Sequence, residues 1–245
     1  MNKVILITSG KGGTGKTMFA VNLGAALANA GKRVALIDMD LGMRNMDLYL
    51  GMENRVVFNI MDVMTGICRL NKALLKVHGF DSLYFMAASP RRSDKVIKGS
   101  HMDALCRLLE KYFDHIIIDT GAGINDILDA SAAAAGRAVI VTEPEIAALR
   151  DADTMVSYLN GQGLTDVCMV LNKADMELMR AGILPDVQSI INDTSTPVDG
   201  IIWEDRNIRI STSRGVPIVT KEDSGLGETF LQIARRILGE TERTY

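Results

Sequence analysis

The chain has 245 residues, 47% of them apolar, and a formal charge of −3, enough for one sizeable α/β core and a single domain over 1–245. The weak acidity excludes a general attraction to nucleic acid or anionic lipid, and no apolar run approaches the roughly 18 residues of a spanning helix. Cys68, Cys106 and Cys168 are odd in number and show no metal-ligand spacing, so they read as reduced, packed thiols without a disulfide or zinc.

In chain order, short β-branched runs alternate with longer helical patterns, which predicts a doubly wound, mostly parallel sheet with helices on both faces. Strands are expected at 3–9, 33–38, 83–87, 115–119, 138–142, 167–171, 199–202 and 217–219. The first helix runs from the loop after the first strand to Ala30 and is closed by Gly31. Further helices are expected near 56–64, 70–76, 101–112 (capped by Ser100), 125–134, 147–160, 176–181, 185–192, 205–213 and 225–238. Right-handed crossovers put the carboxyl ends of the strands on one edge, where such sheets bind ligands.

The loop on that edge is Gly10-Lys11-Gly12-Gly13-Thr14-Gly15-Lys16-Thr17. It follows a strand and opens a helix, as the phosphate-binding mechanism requires. The backbone N–H groups of Gly12 to Met18 cradle phosphates, Lys16 neutralises the terminal oxygens, and the Thr17 hydroxyl completes a Mg²⁺ shell. One lysine is all an ordinary P-loop needs. Lys11 is surplus, and from the rim it can reach a γ-phosphate bound by a second subunit, which suggests a nucleotide-gated dimer.

Two acidic strand ends accompany the loop. Asp38 and Asp40 share a side, and Asp40 is the candidate for positioning water and assisting the metal; its ordinary alternative is a turn carboxylate. Asp119 closes His115-Ile-Ile-Ile-Asp119 and is the candidate for metal-bound water. Thr120-Gly-Ala-Gly123 after it can sense the γ-phosphate. Asn172 and Lys173, in Asn172-Lys-Ala-Asp175, are candidates for holding the base. The same four residues match the guanine-reading pattern of GTPases, while Asp175 serves equally well as a helix N-cap, so ATP and GTP both stay open at this point.

Assembled, these residues resemble the MinD branch of the MinD/ParA family of deviant Walker ATPases nearly end to end. The resemblance also rests on Gly42-Met-Arg-Asn-Met-Asp-Leu-Tyr-Leu-Gly51, Arg55-Val-Val-Phe58, Leu149-Arg-Asp-Ala-Asp153 and Gly200-Ile-Ile-Trp-Glu-Asp205. It implies a P-loop NTPase fold, ATP and Mg²⁺, an ATP-dependent homodimer with Lys11 acting across it, and hydrolysis assisted by Asp40. Asn172 and the Glu204 region are implied near adenine, along with regulatory partners of MinC/MinE type and a role in placing the division site. The chain departs from the pattern at Met18, where a second threonine is usual, at Gly121, where many relatives carry proline, and at Trp203, where a proline is usual near the base.

Asp119-Thr-Gly-Ala-Gly123 looks closer to FlhG, so a positioning ATPase for another cargo such as flagella remains open, as does a poorly hydrolysing scaffold. A metal-cluster carrier of the same superfold needs a Cys-x-x-Cys pair that is missing. The last helical stripe, Phe230, Ile233, Ala234, Ile237 and Leu238, reads as core packing, with no basic amphipathic anchor after it. Cytoplasmic residence is therefore expected, with membrane contact only through an anchor beyond Tyr245.

Overall fold

The fold is described from a computed structural model over residues 3–91, 97–220 and 225–241. Eight strands form one sheet in the order β3-β4-β2-β5-β1-β6-β7-β8. They are β1 (Val4–Thr8), β2 (Val34–Met39), β3 (Leu74–Lys76), β4 (Leu83–Met86), β5 (His115–Thr120), β6 (Arg137–Thr142), β7 (Val167–Ala174) and β8 (Val198–Trp203). Only β3 is antiparallel, pairing Leu75 with Phe85 on β4. From β1 the chain moves outward to β2 and on to the edge strand β3, returns to β4 between those two, and β5 then inserts between β1 and β2. The remaining strands move outward the other way. The direction therefore reverses at β1, where an open α/β sheet has its ligand crevice.

Side chains alternate between two cores, as the strand period of two demands. On one face Leu6, Ile37, Ile118, Ile140 and Met169 lie under α5 (Gly99–Leu109), α6 (Asp126–Ala132), α7 (Ile146–Gly161) and α9 (Val187–Thr194). On the other, Ile7, Leu36, Ile117, Val139 and Val170 lie under α1 (Lys16–Asn29) and α11 (Leu226–Ile237). Phe230 is fully buried, with its ring centroid 6.1 Å from that of Phe19. The stripe of α11 is thus taken up by the core, and truncating such a phenylalanine costs about 3–5 kcal/mol.

The remaining helices are short: α2 (Met46–Tyr49), α3 (Ile60–Met64), α4 (Leu70–Ala73), α8 (Met176–Arg180) and α10 (Arg206–Ser213). The structure corrects four sequence expectations. The run 217–219 is a 3-10 turn over Ile218–Thr220, because the Ile218 N–H is taken by the Asn22 side chain and not by a neighbouring strand. The helix expected over 70–76 stops at Ala73, where Leu74–Lys76 pairs with β4 to cover the sheet edge. Helix α3 begins only at Ile60, where Asn59 and Asp62 form a reciprocal capping box. Ser100 lies inside α5, which starts at Gly99 after Lys98. Gly31 does adopt the left-handed conformation, φ 81°, just past the end of α1.

Candidate active site

The loop between β1 and α1 turns sharply at Gly13 and Gly15, whose φ angles of 83° and 91° suit glycine and strain other residues. Gly10 is fixed differently: a Cβ there would sit 2.4 Å from the Asp151 carbonyl oxygen on α7. The Ser9 hydroxyl donates to the Lys11 carbonyl at 2.6 Å, setting the rim of the loop. Helix α1 then starts at Lys16 with no side-chain cap and no acid in its first turn, so its leading N–H groups and positive dipole end face the loop. Lys16 is buried, which lowers its pKa, while Asp119 and Asp40 pull the other way. Lys11, Gly12 and Gly13 are exposed, and Thr14 is buried.

The end of β7 braces this loop from behind. The Asn172 Nδ2 donates to the Thr14 carbonyl at 2.7 Å, and the Lys173 ammonium donates to the Gly13 carbonyl at 2.8 Å and to Glu143 at 2.6 Å. Lys173 reaches both from a left-handed backbone, φ 54°. Sequence reasoning expected these two side chains to read a base; their hydrogen bonds run to the loop, although both also line the neighbouring cavity. Asp175 caps α8, accepting from the Glu177 and Leu178 N–H groups at 2.9 and 3.0 Å, which settles its role as an N-cap.

The acids converge on the same edge. Asp38 and Asp119 are register partners on β2 and β5. Asp38 accepts from the Asp40 N–H at 2.9 Å and the Met46 N–H at 3.2 Å, and burial pushes its pKa up to about 7. It organises the segment that carries Asp40. Asp119 is fully buried, and burial followed by the nearby Asp38 raises it to about 8, while the Thr17 hydroxyl and Lys16 pull it down. Thr17 faces it, yet neither carboxylate oxygen has a hydrogen bond of ordinary geometry. Asp40 is half-buried, and its Oδ1 lies 2.9 Å from where a Cβ on Gly121 would stand, so glycine after Thr120 leaves room for the carboxylate.

An orphaned buried carboxylate beside the Thr17 hydroxyl, at a helix N-terminus, fits a Mg²⁺-nucleotide. No group of three or more His, Cys, Asp or Glu suited to a metal occurs among the described residues. A Mg²⁺ whose shell is mostly phosphate and water needs none.

Beside the loop lies a cavity of about 290 Å³, its walls including Met18, Tyr49, Asn172, Trp203, Glu204 and Ile208. Glu204 is paired with Arg209 at 2.5 Å, and its N–H donates to the Ala174 carbonyl. Tyr49 enters from α2, whose first N–H is the one held by Asp38. Gly51, just after α2, packs backbone to backbone on Gly215 after α10: a Cβ on Gly215 would lie 2.7 Å from the Gly51 Cα. Tyr49, Ile208 and Arg209 had no assigned role in the sequence reading. Tyr49 stands in a motif whose four-residue helix is too short to announce itself by periodicity.

The family model for the CobQ/CobB/MinD/ParA nucleotide binding domain matches residues 5–218. A septum site-determining protein MinD from Synechocystis is 40% identical over 241 residues, 98% of this chain and 91% of the relative. Among solved structures, the MinC:MinD cell division protein complex of Aquifex aeolicus matches with a TM-score of 0.91 at 34% identity, covering 99% of this chain and 98% of that one. The septum site-determining protein MinD of Pyrococcus horikoshii, complexed with Mg-ADP, gives 0.84 at 29% identity, over 97% and 96%. Loop, paired acids and whole-chain similarity agree: this chain belongs to the MinD family of nucleotide-binding proteins.

Proposed function

We propose that the chain is an ATP-driven dimerising switch that hydrolyses ATP to ADP and phosphate and helps place the division septum. The observation that carries this reading is the exposed Lys11 on a loop whose own lysine, Lys16, is already buried beside Asp119. The N–H groups of Gly12 to Met18 face the α- and β-phosphates of the subunit's own nucleotide, and Lys16 neutralises its β/γ oxygens. Thr17 and Asp119 would hold Mg²⁺, with Asp40 at its margin, and the ion would supply neutralisation of the phosphate oxygens. Lys11 reaches across to the partner's γ-phosphate and adds positive charge where negative charge gathers in transfer. Asp40 orients the attacking water from the Gly121 side. Asn172 and Lys173 keep the loop carbonyls turned away from the phosphates, so that N–H groups alone face them.

The dimer presents a composite surface to a regulatory partner, and hydrolysis dissolves it. The Aquifex relative assembles with MinC, and a partner of that type is the first to test here; a MinE-type stimulator belongs to the same proposal. No helix of the described residues is long and apolar enough to cross a membrane, and the net charge of −3 offers no general pull toward nucleic acid. A septum role is favoured over a flagellar cargo because the near-full-length relative is named for septum placement. Light scattering with Mg-ATP against Mg-ADP tests the switch: a dimer only with ATP is the expected result, and a monomer in both sinks it.

A further inference from the structure

We propose that Glu143 is a positioning residue for the nucleotide phosphates: through Lys173 it fixes the peptide between Gly13 and Thr14, so that the Thr14 N–H is aimed before a phosphate arrives. The inference rests on the nucleotide-binding reading above and deepens it. Lys173 is the one exposed residue in the otherwise buried strand β7, and it falls where the pairing with β8 slips, between Leu171 and Ala174. Its φ of 54° lies in the left-handed region, which a lysine enters only at a cost. An irregularity of this kind re-aims a side chain, and here it aims Lys173 at the loop. The ammonium is held between two oxygens, the Gly13 carbonyl at 2.8 Å and the Glu143 carboxylate at 2.6 Å. Backbone strain persists at a site when its surroundings over-determine it, and these two bonds do so.

Glu143 is itself anchored from both sides. It follows Thr142, the last residue of β6, whose hydroxyl donates to the Ala148 carbonyl on α7 at 3.1 Å, and it precedes the buried Pro144. A lysine ammonium carries three rotatable donors on a flexible stem, so the Gly13 carbonyl alone would not keep it from turning toward an arriving phosphate. Glu143 removes that freedom. Each carbonyl shares a planar trans peptide with the following N–H, which points the opposite way. Lys173 on the Gly13 carbonyl and Asn172 on the Thr14 carbonyl therefore turn two consecutive N–H groups, those of Thr14 and Gly15, away from β7. Donors preset in this way lose less freedom when the ligand binds.

Titration calorimetry with Mg-ADP and with Mg-tripolyphosphate, which has no base, compares the intact parent with Glu143→Gln, Lys173→Met and the double variant. Glu143→Gln is expected to weaken both ligands by the same factor, about 10-fold. Its melting temperature is expected to stay close to the parent's, because the Lys173 and Glu143 side chains are 46% and 19% exposed and so contribute little to stability. The double variant is expected to bind no worse than Lys173→Met alone, since the carboxylate acts through the ammonium. In nucleotide-free Glu143→Gln the amide NMR signal of Thr14 is expected to move, while that of Gly31, past the end of α1, stays. Unchanged affinity in Glu143→Gln, losses that add in the double variant, a loss with Mg-ADP alone, or an unmoved Thr14 signal would each overturn the inference. Absence of binding heat with both ligands in the parent would instead overturn the nucleotide reading on which it rests.

Discussion

Asn172 is 2% exposed and its side chain donates to the Thr14 carbonyl at 2.7 Å, so the far end of β7 holds the loop that follows β1. Breaking that bond leaves a buried carbonyl without its partner, at about 1–3 kcal/mol. Asn172→Ala is therefore expected to lower the melting temperature and to weaken Mg-ADP, because the loop loses its preset shape. Calorimetric melts with and without nucleotide check both. A variant as stable as the parent would show the brace to be idle.

Lys11 is exposed whereas Lys16 is buried in the same loop. Lys11→Ala is expected to abolish ATP-dependent dimerisation while Mg-ADP affinity changes less than about threefold, since the subunit's own phosphate cradle is intact. Sizing by light scattering decides it. Dimers of the mutant with ATP would remove Lys11 from any role across the interface.

Asp40 lies against Gly121 and outside the cradle of N–H groups. Asp40→Ala is expected to slow single-turnover hydrolysis by about 100-fold or more, in the range of a lost catalytic positioning group, and so to accumulate the ATP dimer. Gly121→Ala is expected to act in the same direction by displacing the carboxylate. Undiminished turnover in Asp40→Ala would reassign the residue to the turn that Asp38 organises.

Asp38 and Asp119 have folded pKa values of about 7 and about 8, above the ordinary carboxylate value near 3.8. The folded protein then binds more protons than the unfolded chain between those limits, so stability falls as pH rises from about 4 to about 8. Nucleotide-free protein is expected to melt on the order of 5 °C lower at pH 8 than at pH 5.5. Asp38→Asn should flatten the slope. Melting temperatures that rise across this range would contradict the buried, unrelieved state of the pair.

The apolar stripe of α11, with Phe230, Ile233, Ala234 and Ile237 all buried, is unavailable to lipid. Residues 1–245 are accordingly expected to sediment weakly or not at all with anionic vesicles, in ADP or ATP. Strong ATP-dependent pelleting would show that α11 undocks or that another face meets the membrane. Of the acidic residues after α11, Glu240 is exposed, and Glu242 lies outside the described residues.

The sheet was legible because its strands are β-branched runs such as His115–Thr120, and the loop was legible because its glycines and lysines stand at a spacing that only phosphate chemistry requires. What escaped was set by tertiary partners. Leu74–Lys76 has the same apolar residues whether it ends a helix or edges a sheet, and β4 decides. Asn172 could be placed on the ligand edge, where it was expected to hold the base, by its position after a late strand, but the direction of its amide depends on the Thr14 carbonyl, which no local pattern announces. Tyr49 reaches the cavity through a backbone contact between Gly51 and Gly215, residues 164 positions apart by simple subtraction.

That pair of glycines constrains how the sequence can change. Each is in the left-handed region, φ 61° and 63°, and each faces backbone atoms of the other segment, which no substitution can make smaller. An alanine at Gly215 therefore has no compensating partner mutation at Gly51, unlike a large-for-small exchange in a core of side chains. For anyone reshaping the cavity, Met18, Trp203 and Ile208 are adjustable, while the seam beneath Tyr49 has to be inherited whole.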